Sequence, residues 1–215
     1  MNRNMWAPLA GVGFIVVAII AIAIGGEPPD AGDGADEIVS YYLDNKDSIE
    51  ISSVLAAPAG MFLVFFSAAL SRAVRIADEL SVLPAVIIVG ASFIAIGIAI
   101  DSTIQFAIAE AADDIEPASV QTLQALWDND FIPIAMGVIT LLLSSGLAIL
   151  RTGALPKWLG WVAIVLVVLG LTPAGFIAFL GGAVWIAIVS VMLTLRAREA
   201  APPAATPPVA PTTAA

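Results

Sequence analysis

Long uncharged apolar runs alternate along the chain with short stretches that carry nearly all of its charge. The first run, residues 9–26, has no charged residue; as helix it extends for about 27 Å, close to the hydrocarbon thickness of a bilayer. The second, residues 51–71, contains Pro58 and Gly60. Lipid-embedded helices accommodate such residues, usually with a kink. The third, residues 83–104, has Pro84 in its first turn, where a missing N–H costs nothing. The fourth, residues 131–150, has Asp130 in the N-cap position and Pro133 in its first turn. Residues 158–195 are uncharged throughout. A single helix of that length would extend for about 57 Å, nearly twice the hydrocarbon thickness. Thr172-Pro173-Ala174-Gly175 supplies a turn in its middle, which divides it into spans 158–171 and 176–195.

Two polar segments interrupt these runs. Residues 27–50 contain eight acids and one Lys, and residues 105–130 contain six acids and no base. Each has a stretch with helical periodicity: Ile38, Val39, Tyr42 and Leu43 share one face, and after Pro117 so do Val120, Leu123, Leu126 and Trp127. The pattern predicts an all-α fold, a polytopic transmembrane bundle of six spans with short amphipathic helices in two acidic outer loops. It occupies residues 1–198. Residues 199–215 are rich in Pro and Ala and read as a disordered cytoplasmic tail. The first run also has a signal-peptide reading, with Ala21-Ile22-Ala23 as a cleavage site, but it exceeds the usual apolar region of such a signal. Cleavage would leave five spans.

Composition supports lipid as the solvent. Of 215 residues, 60% are hydrophobic and 12% are charged, whereas soluble domains carry about 25% charge. The net charge of −10 and the absence of a basic patch argue against nucleic acid as a partner. There is no Cys and no His. This excludes thiol chemistry, Ser-His-Asp triads and histidine-ligated metal or haem. Orientation follows from the bases. With the N-terminus inside, Arg3, Arg72, Arg75, Arg151, Lys157, Arg196 and Arg198 fall on the cytoplasmic side, and only Lys46 falls outside. Both ends then lie inside, and the acidic loops face outward.

Candidate chemistry is sparse. Asp101 is the one acid inside an apolar run, a position that suggests proton or ion handling. It lies about 25 Å of helix from Pro84, however, and Ser102, Thr103 and Gln105 surround it, so an interfacial residue is the plainer reading. Thr140, Ser144 and Ser145 form a polar notch that would line a solute path or, more commonly, bond to their own helix. Asp30, Asp33 and Asp36 recur at a spacing of three, which is not a calcium-loop pattern, and a solvated acidic loop is expected there. Ala91, Ala95 and Ala99 form a small-residue stripe suited to close helix approach, within this bundle or with other membrane proteins. Gly11 and Gly13, Ala21 and Gly25, and Ala178 and Gly182 read as packing contacts, and Trp158 and Trp161 as an aromatic belt. Trp185 lies mid-span, where packing is its expected role. A weak parallel repeat pairs the two halves, with Asp44-Asn45-Lys46 answering Asp128-Asn129-Asp130.

The segments 39–45, Arg72 to Arg75, Pro117 to Trp127 and, above all, residues 147–161 (LAILRTGALPKWLGW) carry a resemblance. In these the chain resembles a family of bacterial six-span integral membrane proteins classed as a domain of unknown function, over roughly residues 7–198. The resemblance implies a six-helix fold and a bacterial plasma membrane; it implies no activity and transfers no catalytic residue. The expected function is therefore that of a non-enzymatic accessory, scaffold or envelope-associated component, with no cofactor, no metal and the lipid bilayer as its constant partner. The alternative is a transporter or channel for a small solute or a lipid, which requires a polar cavity reaching Ser144, Ser145 or Asp101. An intramembrane enzyme would require acids converging at one depth.

Overall fold

The computed structural model describes residues 6–76 and 81–199. Among them are eight helices and no strand: α1 Trp6–Gly25, α2 Ala35–Asp44, α3 Lys46–Arg75, α4 Leu83–Ala111, α5 Pro117–Trp127, α6 Ile132–Thr152, α7 Lys157–Gly170 and α8 Gly175–Glu199. Five segments are long and apolar enough to cross a membrane: α1, α3, α4, α8 and the stretch Pro117–Thr152 that contains α6. The apolar helix α7 is shorter, with 14 residues that make about 21 Å. It forms a hairpin with α8 through the expected turn, where Gly175 N donates to Thr172 O at 3.0 Å. Arg3 and residues 200–215 of the tail lie outside the described residues.

The six apolar helices close into a ring in the order α1, α3, α4, α6, α7, α8, with α8 returning to α1. Each packs antiparallel to its neighbours. Arg72, Arg75, Arg151, Lys157, Arg196 and Arg198 therefore gather at one end of the bundle, and the two acidic segments gather at the other. The main core contains Leu63, Phe66, Leu70, Ile87, Leu141, Ile149, Trp185 and Val189. Trp185 is fully buried, and its indole N–H donates to Leu159 O at 2.9 Å. That bond satisfies the ring's single polar atom and ties α8 to α7.

Between lipid-embedded helices there is no water to expel, so close backbone approach has to supply the cohesion. The α4–α6 seam does this with glycine. A Cβ on Gly90 would lie 2.5 Å from the Leu141 backbone nitrogen, and one on Gly137 would lie 2.5 Å from that of Ile94. The expected Ala91, Ala95 and Ala99 stripe divides instead. Ala91 is buried, Ala95 packs against Gly60 of α3, and Ala99 is exposed. The tight contact belongs to Gly90 and Gly97, seven residues apart and therefore on one helical face. At the α1–α8 closure, Ser190 inserts into the hydrogen-bond ladder of α1. Its Oγ accepts from Val12 N at 3.1 Å and donates to Pro8 O. Gly11 makes room, since a Cβ there would lie 2.8 Å from Ser190 Cβ.

Helix boundaries depart most from the apolar runs at the start of α3 and the end of α4. α3 begins at Lys46 and α4 continues to Ala111, because no Pro or Gly interrupts either polar extension and both find packing partners beyond the core. Asp130 does not cap α6. The residue before the helix, Phe131, is already helical at φ −63° and ψ −14°, and no side chain caps it. The turn over residues 128–131 winds directly into α6 and takes up the orphan N–H groups through backbone bonds such as Ala135 N to Phe131 O at 2.9 Å. The other end of α6 stops at Gly153, whose φ of 64° is the left-handed conformation that glycine adopts freely.

The weak repeat has a structural counterpart in α1–α3 and α4–α6. Each is a long helix, a short helix and a second long helix. Asn45 Nδ2 donates to Tyr41 O at 2.9 Å, and Asn129 Nδ2 donates to Ala125 O at 2.8 Å. Both asparagines thus close the end of the short helix by the same contact, four residues back.

Candidate functional site

The two acidic segments fold against each other into a cap on the acidic end of the bundle. The apolar faces of α2 and α5 meet the projecting ends of α3 and α4. Ile38, Tyr42, Ile49, Ile108, Ala109, Ala112 and Val120 form a core of their own, separate from that of the bundle. Of the expected amphipathic stripes, Ile38, Val39, Tyr42, Val120 and Leu123 do pack inward, whereas Leu43 and Leu126 stay exposed. In α5 the inward position is taken by Gln124, which is fully buried. It follows Val120 by four residues, the spacing that stacks side chains on one face.

Gln124 is the centre of a polar chain. Tyr42 Oη donates to Gln124 Oε1 at 2.8 Å, and Gln124 Nε2 donates to Asp128 Oδ1 at 2.9 Å. The other oxygen of Asp128, Oδ2, accepts from Ala31 N at 2.9 Å. Gln121 Nε2 closes the link by donating to Ala31 O at 2.7 Å. These bonds join segments about ninety residues apart in sequence. Burial holds the Tyr42 phenol well above its usual range, with Tyr41, Asp128 and Asp101 adding to the effect. Burial raises Tyr41 as well, followed by the effect of Glu27, and its Oη donates to Gly25 O at 3.1 Å, anchoring α2 to the end of α1. Lys46 bridges α3 and α4 by pairing with Glu110 at 3.2 Å, a solvent-screened pair that adds little to stability. Within residues 27–37, Asp33 Oδ2 accepts from Asp30 N at 2.9 Å, a local turn bond. Among the described residues no group of three carboxylates is placed to hold a metal ion.

The polar candidates inside the bundle are not brought together. Asp101 lies partly buried at the acidic end of α4, beside Trp127 and Asp130. Trp127 Nε1 and Asp130 Oδ2 are both buried without a well-formed hydrogen bond. Gln105 sits one turn further along α4, also partly buried. Ser144 is buried and donates to Thr140 O at 2.7 Å, its own helix, while Thr140 is partly buried. Ser145 is fully buried with its Oγ unpaired. Because Gly90 faces Leu141 and Gly97 faces Ile134, Asp101 lies level with the start of α6. Ser144 lies level with about Ile87, roughly 21 Å deeper along the bundle axis. Between the two levels is a half-open cavity of about 120 Å³ lined by Phe14, Ile94, Val138, Leu142, Phe179 and Ile186, among others, with almost no polar surface.

Sequence reasoning missed Gln124 and Ser190, and the role of Asp128 in linking the two acidic segments. Polar residues in an acidic stretch read as solvated, and a lone Ser in an apolar run reads as bonded to its own helix. The available signal was the four-residue step from Val120 to Gln124. No family model, characterised protein or solved structure matches this chain.

Proposed function

We propose that this protein is a six-span, non-enzymatic membrane component that acts as a scaffold or accessory subunit, with its acidic cap as the recognition surface for another polypeptide. The supporting observation is the cap itself. Two segments that would otherwise be solvated loops hold a buried core and the Tyr42–Gln124–Asp128–Ala31 chain. A defined surface of that kind is more structure than a passive inter-helix connection requires. Leu43 and Leu126 are exposed apolar residues on the acidic cap, available for contact with another polypeptide. The charge asymmetry supports an orientation with the cap outside and the basic end in the cytoplasm of a bacterial cell. The hairpin of α7 and α8 supports α7 as the sixth span, with the bilayer thinning locally around it.

A photo-reactive residue placed at Leu43 or Leu126 in intact cells tests this reading. The expected result is one discrete adduct of defined mass, absent when the same residue replaces lipid-facing Ile22 or Val184. Adducts only to lipid at all four positions, together with a monomer in mild detergent, would remove the proposal. A second reading, a carrier for an apolar molecule, is supported by the half-open apolar cavity between α1, α4, α6 and α8. The same lining disfavours a path for polar solutes, because a buried polar group without a partner costs about 1–3 kcal/mol.

A further inference from the structure

At the basic end, the turn between α6 and α7 collects cations from three helices. Arg151 ends α6, Lys157 begins α7, and both flank residues 153–156. Arg196, in the last turn of α8, reaches that turn and donates from Nη1 to Ala154 O. All three side chains are exposed. A guanidinium has five N–H donors, so Arg196 keeps donors for a ligand while the bond to Ala154 fixes its position. Beside these cations α7 carries two large aromatic residues, Trp158 at 51% and Trp161 at 62% exposure. Lys157, Trp158 and Trp161 fall within an arc of about 100° on the helix. One stripe of α7 therefore runs from a cation through two indoles toward the middle of the bilayer.

We infer that Arg151, Lys157 and Arg196 form a binding site for the headgroup phosphate of an anionic phospholipid, whose acyl chain lies along Trp158 and Trp161. The charge complement is specific in place. Arg151 and Lys157 bracket one backbone turn along the chain and Arg196 of a third helix bonds to it, at the level where interfacial tryptophans mark the headgroup boundary. The indoles select a membrane lipid over a soluble phosphate, because they supply apolar contact that only a hydrocarbon chain uses. The site is independent of the cap and of the recognition role proposed for it.

The full-length protein in mild detergent, supplied with equal phosphatidylglycerol and phosphatidylcholine and read by native mass spectrometry, provides the test. Wild-type protein is expected to retain phosphatidylglycerol preferentially. Arg151→Gln/Lys157→Gln is expected to weaken that retention about 30-fold, from about 1 kcal/mol per basic residue. Adding Arg196→Gln extends the loss to about 100-fold. The control Arg72→Gln/Arg75→Gln removes the same charge from the same end and is expected to leave retention within about twofold, since those residues lie on α3. Helical content by circular dichroism identifies any variant that fails to fold, and the first pair has no intramolecular bond to lose among the described residues. Equal losses in both pairs would reduce the effect to general electrostatics and overturn the site. Unchanged retention in the first pair would do the same, as would displacement of the lipid by millimolar glycerol phosphate.

Discussion

In the cap, Ile38, Tyr42, Ile49, Ile108 and Val120 are wholly removed from solvent, and hydrogen bonds between side chains and backbone run across them from Tyr42 to Ala31. Along the α4–α6 seam no such chain exists, and Gly90, Gly97 and Gly137 bring two backbones together almost atom to atom. The difference follows from the surroundings. The cap faces water, so burying aromatic and aliphatic surface stabilises it and its polar groups must find partners. The seam faces lipid tails as apolar as its own side chains, so only dense packing distinguishes contact from separation. The same chain therefore packs large residues together in the cap and places its smallest residue where α4 and α6 meet inside the bundle.

The sharpest way to break the contrast is Gly137→Leu. Its Cβ would sit 2.5 Å from the Ile94 backbone nitrogen and 2.9 Å from Gly90 O, where no side chain can give way. The expected cost exceeds about 5 kcal/mol, measured as loss of monodisperse protein in detergent. Gly32→Ala, with nothing within 4 Å of the new Cβ, should be silent to within about 0.5 kcal/mol. A smaller effect is expected from Tyr42→Ala, about 3–4 kcal/mol, and it should be confined to the cap. Proteolysis within residues 27–50 and 105–130 should accelerate while the bundle keeps its helicity; a collapse of both together would mean that the two regions are one cooperative unit.

Ser190→Ala probes the point where the bundle borrows the cap's method. It removes the insertion into the α1 ladder and should cost about 1–2 kcal/mol, less than Gly137→Leu or Tyr42→Ala, with hydrogen exchange at Val12 rising first. The smallest effect is the response to alkali. Because burial favours the neutral phenol of Tyr42, the folded cap holds that proton more tightly than the unfolded chain does. The contribution of Tyr42 to cap stability should be constant below about pH 10 and be lost as the pH rises through that value toward the folded one. Phenolate absorbance should thus appear together with cap proteolysis. Ionisation of Tyr42 at the ordinary tyrosine value, with the cap intact, would contradict its burial.

Much of the architecture was legible beforehand. The spacing of charges located the apolar helices, Thr172 to Gly175 divided the last one, and the periodicity in residues 35–44 and 117–127 marked the cap helices. The candidate site was far less legible. Asp101 stood out as an acid in an apolar run, yet it is the quiet residues Gln124 and Asp128 that join the two acidic segments. Asp130 had the right identity and position for a cap, and a turn that enters α6 already helical made that role unnecessary.

The sequence alone determined that this chain belongs in lipid, how many apolar helices it makes and which ends carry the positive charge. These depend on composition within short windows, where the free energy of transfer into hydrocarbon adds residue by residue. Tertiary structure decided which glycines touch, that Ser190 enters the ladder of α1, and that two acidic segments about ninety residues apart become one folded cap. Those outcomes depend on pairs of residues whose proximity no local window contains, and their energies exist only once the helices have met.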